Sequence, residues 1–147
     1  MDKYTAFYSQ EERAEIVSAI QRAEAKTSGE IRVHLEDHCD HESKDRAAMV
    51  FEKLGMHKTA DRNGVLFYVA VCDHDFAVIG DGGIHEKVGA AYWSDLCKEL
   101  EEHFRAGMYK GGLVKCIDHV GEQLRSFYPV DRRDINELPD DISMGQI

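Results

Sequence analysis

Between Arg62 and Glu86 the chain reads RNGVLFYVAVCDHDFAVIGDGGIHE. No other stretch restricts the possible folds so strongly. It opens on the turn dipeptide Asn63-Gly64 and continues through eight apolar residues, Val65 to Cys72. A polar interruption, Asp73-His74-Asp75, separates these from a second apolar run, Phe76 to Ile79. Short apolar runs rich in β-branched and aromatic residues, bounded by turn signals, read as strands buried on both faces. Three polar residues between two such runs suit a hairpin. The glycine-rich acidic loop Gly80-Asp81-Gly82-Gly83 follows, and then helical periodicity. Loops at strand ends carry sites on α/β scaffolds, so this loop is a first place to look for chemistry.

The flanking chain supplies covers for such a sheet. Residues Met1 to Tyr8 read as a loose lead-in. Ser9-Gln10-Glu11-Glu12 fits a capping box, in which the Ser hydroxyl accepts from an amide three residues on and Glu12 reaches back. Ile16, Ala19, Ile20 and Ala23 then share one helical face, and Gly29 is placed to end the helix in a left-handed cap. Glu30 to Glu36 alternates apolar Ile31, Val33 and Leu35 with polar neighbours, which predicts a strand with one wet face or an edge strand. A helix from about Ser43 buries Ala47, Val50, Phe51 and Leu54 and stops at Gly55. Beyond the glycine loop, Val88, Tyr92, Leu96, Leu100 and Phe104 form one stripe. A last helix from about Lys110 buries Leu113, Ile117, Val120 and Leu124 and ends before Pro129. The pattern is helix, strand, helix, hairpin, helix, helix, and a small sheet covered by helices on both faces satisfies it. A fourth strand is expected either from the tail or from Met56 to Ala60.

The bulk numbers narrow the function. A chain of 147 residues favours one domain, spanning 1–147, with a core of about 9–129 and a tail of 130–147 docked on it. A formal net charge of −10 excludes a phosphate backbone as the main partner and leaves room for cations. No run approaches the roughly 18 apolar residues of a membrane span, and the N-terminus has no apolar signal core. A cytoplasmic monomer with no membrane contact is the resulting expectation. The four cysteines, Cys39, Cys72, Cys97 and Cys116, form no CxxC pair and are expected as reduced thiols, with Cys72 buried in its strand.

The segments SGEIRVHLE, LGMHKTADRNGVLFYVAV and FAVIGDGGIHEKVG, followed by a helix carrying Tyr92-Trp93, resemble the TPM domain. That family is named for a thylakoid lumen phosphatase-like protein, a photosystem-associated protein and a receptor-regulating membrane protein. The resemblance covers about Glu12 to Pro129, and the tail DINELPDDIS is similar to that of small stand-alone bacterial members. It implies a three-layer α/β/α sandwich with a short, mostly four-stranded mixed sheet. It also implies divalent metal binding, usually calcium, in loops at the sheet edge, and the plant member is associated with acid phosphatase activity. Two positions depart from the family pattern. Arg62 stands where many members carry an acid before Asn-Gly, the nearest acid here being Asp61. His85 stands where secreted and anchored members carry Glu.

Several clusters are candidate sites. Asp81 supplies a hard oxygen among glycines that let carbonyls turn inward, as Ca²⁺ prefers. The same loop also reads as a tight turn needing positive φ, or as an anion cradle, which Asp81 opposes by repelling an anion. The tail carries Asp131, Asp134, Asn136, Glu137, Asp140 and Asp141 without EF-hand spacing. Ile135, Leu138 and Ile142 argue that it docks on the body. His38, Cys39 and His41 have donors for zinc or copper but crowd one short loop. No G-x-S-x-G or C-x5-R nucleophile loop is present, so hydrolysis would have to be metal-assisted. The expected ligands are therefore Asp81, Glu137, Asp140 and Asp141, with Asp61 and Asp134 behind them, for Ca²⁺ first and Mg²⁺ or Zn²⁺ next. In this reading the metal orders the loops in a structural or regulatory role, and the ordered surface takes a protein or small ligand. The alternatives are a metal-assisted acid phosphatase and a protein-binding module with no metal role.

Overall fold

The apolar run after Asn63-Gly64 becomes the most buried strand of the molecule. In the computed structural model, which describes residues 3–130 and 142–147, β2 spans Gly64–Ala70 and every residue of it is buried. It pairs in parallel with β1 (Glu30–Glu36), Ile31 opposite Val65 and Leu35 opposite Val69. On its other side it pairs antiparallel with β3 (Asp75–Gly80). The hairpin turn takes Val71 to His74, beginning two residues earlier than the sequence suggests, so Cys72 is exposed rather than buried. His74 adopts a left-handed φ of 52° at the turn.

Helices lie on both faces. α2 (Gln10–Glu24), α5 (Ala90–Arg105) and α6 (Tyr109–Phe127) close one side over Ile31, Val33, Leu35, Val65, Phe67 and Val69. α3 (Ser43–Lys53) covers the other over Leu66, Tyr68, Ala70 and Ala77. The capping box forms as read: Ser9 Oγ accepts from the Glu12 amide at 3.1 Å and Glu12 Oε1 from the Ser9 amide at 3.0 Å. The lead-in is more ordered than the sequence suggests. It forms α1 (Lys3–Phe7), and the following Tyr8 is fully buried, its hydroxyl donating to the Tyr109 carbonyl.

Two helix boundaries differ from the pattern. α2 ends at Glu24, and Gly29 has no left-handed φ. Gly29 instead sits where a Cβ would come within 2.7 Å of the Leu124 side chain. The stripe from Val88 to Phe104 is divided at Gly89, whose φ of 82° separates the short α4 (Gly82–Val88) from α5.

The fourth strand comes from the tail. β4 (Ser143–Met144) runs parallel to β1 with Ser143 opposite His34, giving the order β3-β2-β1-β4. Met56 to Lys58 instead forms a single 3₁₀ turn. With its edge covered, β1 is buried at every position except the half-buried Arg32, not wet on one face as alternation implies. Ser9→Ala should lower stability by about 1 kcal/mol through loss of the α2 cap. A urea titration should show it as a lower midpoint at unchanged slope.

Candidate functional site

The two ends of the sheet hold different chemistry. At the end where β1 and β2 begin, Arg62 precedes β2 with a left-handed φ of 52°. Its carbonyl accepts from the Gly83 amide at 2.9 Å and the Ile84 amide at 3.3 Å, closing the first turn of α4. Its guanidinium returns to Asp81, Nε to Oδ2 at 2.8 Å and Nη2 to Oδ1 at 2.9 Å. Asp81 also caps α4, Oδ1 accepting from the Gly82 amide at 2.7 Å. Hence both Asp81 oxygens are engaged, although the carboxylate is almost wholly buried. A cation could take it only by displacing the guanidinium, which already supplies the positive charge.

Gly80 and Gly83 serve close packing and not positive φ. A Cβ on Gly83 would lie 2.2 Å from the Asp61 carbonyl oxygen, and one on Gly80 would strike the Trp93 ring at 2.2 Å. Trp93 Nε1 donates to His85 Nδ1 at 3.0 Å, so the imidazole that replaces the family's carboxylate holds an indole.

The tail leaves and rejoins the body along β1. Pro129 bridges to Thr27, and the Val130 amide donates to the Lys26 carbonyl at 3.3 Å. Tyr128 lies beside this exit. Burial first, and then the negative charges of Asp61 and Glu86, push its hydroxyl pKa up. Ile142 is buried where the described chain resumes. The expected ligands Asp134, Glu137, Asp140 and Asp141, with Asp131 and Asn136, lie outside the described residues. Of the expected set, the structure therefore places Asp61, exposed, and Asp81, buried and paired. Among the described residues no group of three or more His, Cys, Asp or Glu is placed to hold a metal ion.

At the opposite end, where β1 and β2 finish, Glu36 is buried against α3. Arg46 grips it with two hydrogen bonds of 2.9 and 2.6 Å, and the Tyr68 hydroxyl donates at 2.6 Å. Burial pushes the Glu36 pKa up, but the Arg46 and Tyr68 hydrogen bonds outweigh it and the net shift is down. Beyond it, Asp73 accepts from the Cys39 amide at 2.7 Å and pairs with His38 Nδ1 at 2.8 Å. These contacts, the amide first, lower the Asp73 pKa. Cys39 Sγ donates to the His41 carbonyl. His38 is thus drawn to Asp73 and the Cys39 thiol to a backbone carbonyl.

His34 reads from the sequence as a surface residue, and the structure corrects this. It is fully buried between β2 and β4, its ring stacked 6.3 Å from Tyr68. Nε2 lies 2.8 Å from the Gly145 carbonyl and Nδ1 2.7 Å from Ser143 Oγ. A carbonyl only accepts, so Nε2 carries the hydrogen and Nδ1 accepts from the serine hydroxyl in the neutral ring. Alternation along β1 puts this histidine on the wet face, and only the pairing of β4 with β1 covers it.

The geometry defines a small mixed α/β domain whose loops and tail, rather than a deep cleft, carry its polar groups. The model of the TPM domain matches residues 1–123, and the chain belongs to that family. The solution structure of the BA42 protein from the psychrophilic bacterium Bizionia argentinensis is similar over 95% of this chain and 96% of its own, with 44% identity and a TM-score of 0.87. Two more distant structures share the fold. The N-terminal domain of a P. gingivalis protein has 18% identity and a TM-score of 0.66, covering 83% of this chain and 79% of its own. The N-terminal domain of cg2496 from Corynebacterium glutamicum has 13% identity and a TM-score of 0.65, covering 95% and 82%. No curated protein matches the chain. Among the described residues no helix is long and apolar enough to cross a membrane.

Arg62→Ala should lower stability, because it strips two charge-assisted hydrogen bonds from a carboxylate with little water of its own. Chemical denaturation should read this loss equally with and without divalent ions. A second outcome follows from His34. Burial, the largest influence, lowers its pKa below the ordinary 6.5, with Arg46 and Arg32 acting in the same direction against the Gly145 bond and Glu36. A depressed histidine binds fewer protons folded than unfolded, so its contribution is complete above 6.5 and is lost as pH falls below it. The urea midpoint should therefore fall between about pH 7 and about pH 5, and His34→Gln should flatten much of that slope.

Proposed function

We propose that this TPM domain binds a divalent cation, Ca²⁺ in preference to Mg²⁺ or Zn²⁺, and that the ion fastens the acidic tail to the body. One observation carries this reading. The tail is tied down on both sides of residues 131–141, by the Thr27–Pro129 bridge and by the pairing of Ser143 with His34. The eleven residues between hold five carboxylates against two arginines. Their exit point lies beside Tyr128, within the electrostatic reach of Asp61 and Glu86. Fixing both ends of such a segment gathers like charges, and a hard cation with oxygen ligands relieves the repulsion. The proposed ligands are Asp134, Glu137, Asp140 and Asp141 with Asp61. Asp81 stays with Arg62. Binding to the folded state alone would raise stability through linkage, making the ion structural or regulatory.

The cytoplasm is the proposed compartment, a reading supported by four cysteines that form no disulfide. The ordered tail would present a surface to a protein or small ligand.

Thermal melting in EDTA and in millimolar Ca²⁺ or Mg²⁺ tests the proposal. Ca²⁺ should raise the Tm by several degrees, as expected for a ligand well above its Kd. The combined variant Glu137→Gln, Asp140→Asn, Asp141→Asn should abolish that rise. Asp81→Asn should lower the Tm in every condition yet keep the Ca²⁺ response. Identical melting in chelator and Ca²⁺ would refute cation binding. Metal-dependent turnover of a chromogenic phosphoester would favour the phosphatase reading instead.

A further inference from the structure

The edge of β1 recognises the tail mainly through its backbone. The Gly145 amide donates to the Leu35 carbonyl at 2.9 Å, and the Gly145 carbonyl accepts from His34 Nε2. The Ile147 carbonyl accepts from Arg46 Nη2 at 3.3 Å. Main-chain contacts of this kind admit many sequences, while side-chain pockets select among them.

Only a few side chains of the segment are read. Ile142 inserts into the core beneath α2 and α6, 7% exposed. Ser143 places its hydroxyl on His34 Nδ1 and within 3.4 Å of the Val33 carbonyl. Gly145 has a φ of 95°, a conformation in which a side chain is strained. Met144 is 43% exposed and enters no pocket, its Sδ accepting from Arg13 Nη1 at 3.2 Å at the surface, and Gln146 is exposed, so neither position is sterically selected.

We propose that the β1 edge, with His34 and Arg46, is a binding groove for an extended peptide of the pattern Ile-Ser-X-Gly laid parallel to β1. Residues 142–147 fill this groove in cis. The ligand in trans is an exposed segment of that pattern on another polypeptide. Only two tail residues form the strand, so exchange does not require unfolding of the body. The tether of residues 131–141 gives the cis segment a high effective concentration, which sets the competition a trans ligand must overcome. The groove's own contacts include none of the proposed cation ligands, although an ion that fastened the tail would raise cis occupancy, so the test is run without one.

The probe is a fluorescein-labelled Ile-Ser-Met-Gly-Gln-Ile peptide, read by fluorescence anisotropy against the full chain. Ser143→Pro in the protein removes the hydroxyl and an amide from the cis segment and frees the groove. This variant should bind the peptide at least about tenfold more tightly than the unsubstituted chain does. Adding His34→Ala should abolish binding, and a peptide with Val in place of Gly should not bind. If Ser143→Pro fails to fold, Gly145→Val frees the groove by backbone strain instead. A folded, freed variant that ignores the peptide overturns the proposal. So does peptide binding that is unchanged by His34→Ala or by scrambling the peptide. EDTA in every arm keeps the result separate from that of the cation experiment.

Discussion

A carboxylate inside a protein must find positive charge and donors, or it will protonate or drag the fold open. Glu36 meets that demand at the end of β1, and two segments converge to supply it. Arg46 brings α3 onto the sheet, and the Tyr68 hydroxyl comes from β2. The same guanidinium reaches the Ile147 carbonyl and so extends the arrangement into the tail. His34, two residues earlier on the same face, adds two bonds to that segment. Between helix and tail, a face of β1 that alternation marks as polar is removed from solvent. Such a network is costly to leave half made, which favours one register for α3 and β4 over others that apolar packing alone would tolerate.

The opposite end of the sheet solves a similar problem with one residue. Where the family resemblance implies an acid before Asn-Gly, this chain carries Arg62, and where a cation was expected beside Asp81 there is a guanidinium. The substitution is compact because Arg62 works twice. Its left-handed backbone turns the carbonyl toward the first amides of α4, and its side chain folds back to the cap of the same helix. A metal ion offers neither a carbonyl nor a covalent tie to β2. The glycines pressed against this turn leave no room for a bulkier rearrangement.

Local chemistry was the most legible part of the sequence. The capping box at Ser9, the stop at Gly55, whose φ is 72°, and the buried hairpin strand all follow from patterns confined to a few residues. What could not be read were pairings between distant segments. Two strand residues at Ser143 carry no periodicity, so nothing local distinguishes the tail from Met56 to Ala60 as the fourth strand. Cys72 looked buried because apolar character ran past the point where the turn had already begun. Asp81 looked like a ligand because a carboxylate among glycines has the same appearance whether its partner is an ion or an arginine nineteen residues away. Arg62 was noticed as a departure, but only geometry turns a departure into a partner.

Charge distribution then separates the two ends. Every acid discussed at the finishing end of β1 and β2 has a counter-charge or donor at hand: Glu36 has Arg46, Asp73 has His38 and the Cys39 amide, and Asp37 has Lys3 at 2.8 Å. With those acids matched, the rest of a net charge of −10 must lie elsewhere. Part of it falls in residues 131–141, whose five acids face two arginines. That segment is also bounded by the bonds that seat the tail on β1. On the proposed reading, an ion bound there would lower the repulsion among those acids and so strengthen the hold on Ser143 without touching it. β4 has two residues and one buried neighbour, Ile142, so it is the element such an ion would tip first.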